Sequence, residues 1–170
     1  VYGQIRCYQR RKYPESPRTD AIHTMIHIGG GDYLSVQSPR AVIIRPELDP
    51  GERCSFWQYK YLGRFDGVAW AAFDQAVKDI NGTPYDYGQL LDILVHQLFG
   101  WLPEKLSLFD LGRRRKVCSV AAHAVLLAAY KKTAQDFLRP LGSQYVEHTC
   151  PADFENHVTF DLASEFKPTR

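Results

Sequence analysis

The alternation of β-branched and other residues in the first third of the chain predicts a series of strands. Residues 21–28 follow a period of two, with Ile22, Thr24, Ile26 and Ile28 on one side, as is typical of a β-strand. Three glycines and an aspartate at 29–32 predict a turn, and residues 33–38 a returning strand. Similar patterns predict further strands at 4–8, 41–45 and 55–61.

Helical periodicity replaces the strand pattern in the second part of the chain. A first helix is predicted from the N-cap Asp66 to the break at Asn81 and Gly82. The same spacing predicts helices over 87–99 and 117–131, and a terminal strand over 157–160. Strands come first and helices follow, with no repeat and no linker, so we expect one α+β domain over residues 1–170.

Composition and charge narrow the class of protein. The 21 Lys and Arg against 19 Asp and Glu leave a net charge of +2, which argues against a dedicated nucleic-acid binder. The longest apolar run, 117–130, is interrupted by Ser119 and His123 and is shorter than the roughly 20 residues of a membrane span. The sequence therefore predicts a soluble globular chain with neither nucleic acid nor a membrane span among its partners.

The four cysteines form no Cys-x-x-Cys pair, so we expect no metal and no cofactor. His23 and His27 share one strand face but lie about 13 Å apart, too far to chelate one ion. A chain of this length needs no disulfide to stay folded. The cysteines are therefore free for another role.

Cys118 is the best candidate for chemistry. It begins the third predicted helix directly after the basic run at 113–116, and both a helix N-terminus and nearby cations favour a thiolate. A nucleophilic cysteine needs that form. The alternative from spacing alone is a small buried residue on an Ala-rich helix.

Two short motifs resemble the NlpC-type cysteine peptidases. Gly82-Thr83-Pro84-Tyr85-Asp86-Tyr87-Gly88 resembles their Gly-x-Pro-Tyr-x-x-Gly segment, and Lys116-Val117-Cys118-Ser119-Val120 resembles their Cys-Ser helix start. In most members the histidine follows the cysteine. Here His23 precedes Cys118 by 95 positions, an order typical of the circularly permuted branch with YiiX-like proteins and lecithin:retinol acyltransferase relatives.

The rest of the chain follows the same branch. A short opening strand, a strand beginning at His23, a glycine turn and a third strand occur in its order, and Cys150-Pro151-Ala152-Asp153 resembles the Ser/Thr-Pro-x-Asp close of some YiiX-like members. The resemblance implies a permuted papain-like fold. In that fold an antiparallel, barrel-like sheet packs on helices, with the nucleophile at a helix N-terminus.

The resemblance also implies roles for individual residues. Cys118 would be the nucleophile, His23 the general base, and Tyr85 a substrate-binding residue that helps the Cys118 amide to stabilise an oxyanion. Counting across the glycine turn gives Ser35 as the residue that orients the imidazole. Gln37 lies on the same strand face and suits that role better chemically, so the choice stays open.

The function implied is that of a thiol hydrolase, a peptidase or amidase that forms an acyl-enzyme. Its substrate would be a peptide amide, first of all in peptidoglycan stem peptides; lipid acyl hydrolysis or transfer is an alternative. Because serine is a poor orienting residue, a second hypothesis is an inactive binding or structural module in a larger bacterial or phage assembly. A third keeps the unpermuted order, with His157 as the base. The compartment, a bacterial envelope or a phage particle, stays open.

Overall fold

The computed structural model describes residues 4–10, 23–45, 54–89, 91, 116–141, 146 and 149–166. Six strands and three α-helices lie within these ranges from end to end, and residues 87–89 and 91 are also helical. The strands are β1 (Gln4–Arg10), β2 (His23–Gly29), β3 (Asp32–Gln37), β4 (Arg40–Ile44), β5 (Cys54–Tyr61) and β6 (Phe160–Phe166). The helices are α1 (Gly67–Ile80), α2 (Cys118–Tyr130) and α3 (Pro151–Asn156), with a 3₁₀ turn at Asp136–Leu138.

The strands form one antiparallel sheet in the order β4-β3-β2-β1-β5-β6. Its centre is the predicted hairpin of β2 and β3, in which Met25 pairs with Ser35 and Ile26 with Leu34. The turn needs glycine, because residues 29, 30 and 31 all have positive φ, a region that side chains with a Cβ avoid. The predicted α+β class with an antiparallel sheet is therefore confirmed.

The helices cover one face of this sheet. On β2 that face carries Ile26 and on β3 it carries Leu34 and Val36, which pack with α1 and α2 in the main core. The largest fully buried side chains of this core are Phe73, Phe154, Ile26 and Leu126. By strand alternation, His23, Met25 and Ser35 belong to the opposite face.

The expectation of a barrel-like sheet is wrong for the described part of the chain, where the sheet is open with β4 and β6 at its edges. Closure would require these two strands to pair. The outer edge of β4 is instead taken by residues 82–85: the Ala41 amide donates to Thr83 O at 2.8 Å, and the Gly82 amide to Ala41 O at 2.9 Å. A segment that follows α1 thus occupies the edge that a barrel would use.

Helix boundaries follow the predicted signals where the structure describes them. The Asp66 carboxylate accepts from the Ala69 amide at 2.8 Å and caps α1, which ends before Asn81. The first residue of α2 is Cys118, as predicted. Of the predicted helix over 87–99, residues 87–89 and 91 are helical, and 90 and 92–99 lie outside the described residues.

The end of the chain differs slightly from the prediction. The terminal strand is β6 and begins at Phe160, whereas His157 closes the short helix α3. Within the described ranges, no helix has both the length and the apolar character that crossing a membrane requires.

Gly82 provides a test of the β4 edge. Its φ is +82°, and a Cβ there would meet nothing within 4 Å. Gly82→Ala should lower the free energy of unfolding by about 1 kcal/mol, because an L side chain strains a left-handed backbone. Urea unfolding followed by circular dichroism measures the change.

Gly67→Ala is the matched control. A Cβ at Gly67 also meets nothing within 4 Å, but its backbone is not left-handed. This variant should be neutral or slightly more stable than the wild type. Equal destabilisation by the two substitutions would contradict the role of backbone conformation.

Candidate functional site

The start of α2 is held by the same segment that covers the edge of β4. Tyr85 forms a parallel bridge with Lys116, and the Asp86 amide donates to Lys116 O at 3.2 Å. On its other side the Tyr85 amide donates to Pro39 O at 3.0 Å. The segment therefore fixes Cys118, two residues after Lys116, relative to the sheet.

Cys118 is buried, with 8% of its surface exposed. Burial raises the pKa of its thiol, whereas hydrogen bonds from the backbone of Thr24, of Cys118 itself and of Ser119, and from the Ser119 hydroxyl, lower it. The desolvation is the larger effect, so the expected thiolate ground state is wrong: the resting group is a thiol. Residues 113–115 of the basic run lie outside the described residues.

His23 and Ser35 contact each other. His23 Nε2 and Ser35 Oγ are hydrogen-bonded at 3.0 Å, and Ser35 is fully buried. Burial lowers the pKa of His23 to about 4, so its imidazole is neutral at pH 7. Gln37 is exposed at the end of β3, opposite Arg40. Of the two candidates for orienting the imidazole, Ser35 is the one hydrogen-bonded to it.

The thiol reaches β2 at the position next to His23. The amide of Thr24, which hydrogen-bonds to the sulfur, belongs to the peptide bond that joins His23 to Thr24. His23 is the first residue of β2, and by strand alternation its side chain belongs to the face opposite the one that packs on α2. The structure thus brings Cys118 to the His23–Thr24 peptide.

Tyr85 lies beside the thiol. Burial raises the pKa of its hydroxyl to about 12, and the charges of Cys118, Tyr87 and Asp86 add to the shift. Its ring meets the Tyr87 ring edge-on at 5.0 Å, and the Tyr87 hydroxyl is hydrogen-bonded to Ser38. Tyr85 is therefore a neutral hydrogen-bond donor at pH 7.

A buried layer that the sequence analysis did not assign supports the first turn of α2. The Ser119 hydroxyl donates to Thr149 O at 2.5 Å, and His123 Nδ1 is hydrogen-bonded to Thr149 Oγ1 at 2.8 Å. Val117 and Val120 are buried there, and Tyr85, Val146 and Cys150 pack against them. Thr149 carried no sequence signal, because its partners are 26 and 30 positions away.

The motif at 150–153 has a local structural role. The Cys150 amide donates to Asp153 Oδ2 at 2.7 Å, and the Cys150 side chain receives the Asp153 amide. This is a capping box at the start of α3, with cysteine in the place of the usual serine or threonine. Burial and the Asp153 carboxylate raise the pKa of Cys150 to about 11.

The other histidines have different surroundings. His157 Nδ1 is hydrogen-bonded to Thr159 Oγ1 at 2.8 Å, just before β6. The strand β6 itself lies three strands from β2 in the sheet, a spacing of about 14 Å. The His27 ring packs on Tyr33, with centroids 4.8 Å apart. Among the described residues, no group of three or more His, Cys, Asp and Glu is arranged to hold a metal ion.

Comparison with known proteins returns no match. No protein-family model fits the sequence, and no curated protein or solved structure is similar to it.

The burial of His23 predicts a dependence of stability on pH. In the unfolded chain the imidazole takes up a proton near pH 6.5, and in the folded protein only near pH 4. As the pH falls through this window, proton uptake favours the unfolded chain, so stability that is fully present above pH 6.5 is lost. The loss is at most about 3.5 kcal/mol, since one pKa unit corresponds to about 1.4 kcal/mol.

Chemical unfolding of the wild type and of His23→Gln at pH 4.5 and pH 7.5 measures this effect. Glutamine keeps a polar side chain but does not titrate, so the variant should lose less stability on acidification. An identical loss in both proteins would show that His23 is not the group responsible.

Proposed function

We propose that the protein is a thiol hydrolase with a circularly permuted papain-like fold, in which Cys118 and His23 form the catalytic pair. The observation that carries the proposal is the contact of the Cys118 sulfur with the backbone amide of Thr24, the residue next to His23. The sequence order of His23 and Cys118, the Gly82–Gly88 motif and the position of Cys118 at the start of α2 also support it.

The hydrogen bond to Ser35 supports the role of His23 as a base. If Nε2 carries the proton and donates it to Ser35 Oγ, Nδ1 carries a lone pair and can accept a proton. Ser35 then selects the tautomer and fixes the plane of the ring. Such orientation by a third residue is common to nucleophile and base pairs.

In the proposed reaction both groups begin uncharged. As Cys118 Sγ attacks the carbonyl carbon of an amide, its proton passes to Nδ1 of His23. The Cys118 amide and the Tyr85 hydroxyl donate to the oxyanion. The imidazolium protonates the amine as the C–N bond breaks, and a thioester remains on Cys118. Water, deprotonated by His23, hydrolyses the thioester and restores the thiol.

The proposed substrate is a peptide amide, first of all in a peptidoglycan stem peptide, as the resemblance implies. Lipid acyl esters are the alternative within the same chemistry, since a thiol nucleophile forms the same acyl-enzyme from an ester. Muropeptides and acyl esters should therefore be assayed side by side.

Substitution of the proposed catalytic residues should separate their roles. We expect Cys118→Ala to lower the rate of hydrolysis at least about a thousandfold, because Cys118 supplies the nucleophile. His23→Ala should lower it about a hundredfold or more, because His23 supplies the base. Ser35→Ala should cost up to about tenfold, the value of one hydrogen bond. Hydrolysis of muropeptides and acyl esters measures the rates, and circular dichroism checks the fold.

His157→Ala is the control, since the His157 imidazole is hydrogen-bonded to Thr159 just before β6, a strand that lies three strands from β2. It should change the rate less than twofold. A wild type as inactive as folded Cys118→Ala on every substrate would contradict the proposed activity. Loss of acyl-enzyme with His157→Ala but not with His23→Ala would show that the base is His157 and not His23.

The pH profile of kcat/KM should report the partly buried imidazole of His23. Because His23 acts as a base only when neutral and its pKa is lowered to about 4, the acid limb should lie near pH 4. The rate should not fall again before pH 9, since the pKa of the Cys118 thiol is raised. Initial rates from pH 3.5 to 9, over the range where the protein stays folded, measure both limbs. An acid limb at pH 6.5 or above would contradict a buried neutral base.

One observation favours a second candidate function, a binding or structural module of the same fold in a larger assembly. Cys118 is 8% exposed, and its pKa is raised by burial, as for an inert structural cysteine. This candidate expects binding of cell-wall peptides that is equal in the wild type and Cys118→Ala, without turnover. Isothermal titration calorimetry with muropeptides tests it.

A further inference from the structure

Three polar side chains lie fully buried behind the first turn of α2: Ser119, His123 and Thr149 have exposed fractions of 2%, 1% and 0%. They are joined in series, since Ser119 donates to the carbonyl of Thr149 and His123 is hydrogen-bonded to its hydroxyl. The Thr149 amide is in turn hydrogen-bonded to Val146 O at 3.3 Å. Buried polar groups of this kind are costly unless they are paired, and these are paired.

Ser119 also reaches the neighbouring thiol. Its hydroxyl lies within hydrogen-bonding reach of the Cys118 sulfur, where it stabilises the negative charge of a thiolate. A serine hydroxyl has one proton and can donate it to one acceptor at a time. The carbonyl of Thr149 and the sulfur of Cys118 therefore compete for the same proton.

We propose that Ser119 is a positioning residue that controls the reactivity of Cys118: its hydroxyl donates to Thr149 O while the thiol is protonated, and turns to the sulfur when the thiolate forms. A thiolate is a stronger acceptor than a carbonyl, because hydrogen bonds to charged groups are about twice as strong as neutral ones. When the Ser119 hydroxyl rotates to the sulfur, the buried carbonyl of Thr149 loses that donor. This cost keeps the thiol protonated at rest, and the new hydrogen bond stabilises the thiolate once it forms. The effect on turnover rests on the proposed function, whereas the effect on the thiol does not.

The surroundings leave a clear pH window for measuring the thiol. Titratable side chains on the elements around this turn are His23, Tyr85, Asp86, Lys116, His123 and Cys150. Of these, His23 has a pKa near 4, Cys150 near 11 and Tyr85 near 12, so none of the three titrates between pH 6 and 9. Asp86, Lys116 and His123 are not substituted in any of the proteins compared.

The test is the rate of alkylation of Cys118 by iodoacetamide between pH 6 and 9, followed by mass spectrometry of the peptide that contains it. Ser119→Ala should slow alkylation about tenfold throughout this pH range, as expected for the loss of one hydrogen bond to a charged sulfur. Ser119→Gly is the second variant if alanine prevents folding, because it leaves room for water at the Thr149 carbonyl. It should slow alkylation to the same extent.

Thr149→Val is the matched control. It removes the hydroxyl that contacts His123 but keeps the carbonyl that accepts from Ser119, so alkylation should stay within twofold of the wild type. A valine variant that alkylates more than twofold faster would overturn the proposal, because the rate would then follow local opening of this layer. An alanine or glycine variant that alkylates like the wild type would overturn the proposal, as would a valine variant slowed as much as Ser119→Ala.

Failure of this proposal and failure of the proposed function are distinguishable, because alkylation needs no substrate. Slower alkylation in Ser119→Ala supports the role of Ser119 even if no substrate is hydrolysed. Conversely, full hydrolytic activity with unchanged alkylation in that variant would overturn the role of Ser119 and leave the hydrolase intact.

Discussion

The backbone hydrogen bonds of residues 82–86 are the constraint on which the arrangement of the site depends. Along one side this segment pairs with Ala41 of β4 and with Pro39 just before that strand, and on the other it bridges to Lys116. It therefore sets the distance between the sheet and the start of α2, which no strand pairing would otherwise control. Tyr85, in the middle of the segment, lies beside the Cys118 thiol for the same reason.

Burial decides the protonation states at this site. Backbone amides and the Ser119 hydroxyl favour a thiolate at Cys118, but desolvation outweighs them, and desolvation also keeps His23 neutral. A buried ion pair would have to overcome the cost of removing two charges from water. The resting site is accordingly a thiol and an imidazole, and charge would develop only when a substrate carbonyl is attacked. The hydrogen bonds of Ser35 and Ser119 then matter for orientation and for the charged state.

Local sequence signals predicted most of the helices and strands. The errors came from contacts between residues that are far apart in the sequence. The alternation at 21–28 and the three glycines fix the hairpin of β2 and β3, and Asp66 and Gly82 mark the ends of α1. The barrel-like sheet was wrong because residues 82–85 cover the edge of β4, a contact that periodicity does not encode. The prediction of a thiolate was wrong because a helix start and a basic run do not determine how deeply the sulfur is buried. Thr149 was missed since its partners on α2 are far away in sequence.

The central claim is that Cys118 and His23 form one proton-transfer pair, and the distance between Cys118 Sγ and His23 Nδ1 tests it most directly. A crystal structure of the protein at neutral pH measures this distance. The account predicts about 4 Å or less, with Ser35 still hydrogen-bonded to Nε2. A distance above roughly 6 Å in a well-ordered site, beyond the range of direct proton transfer, would contradict it.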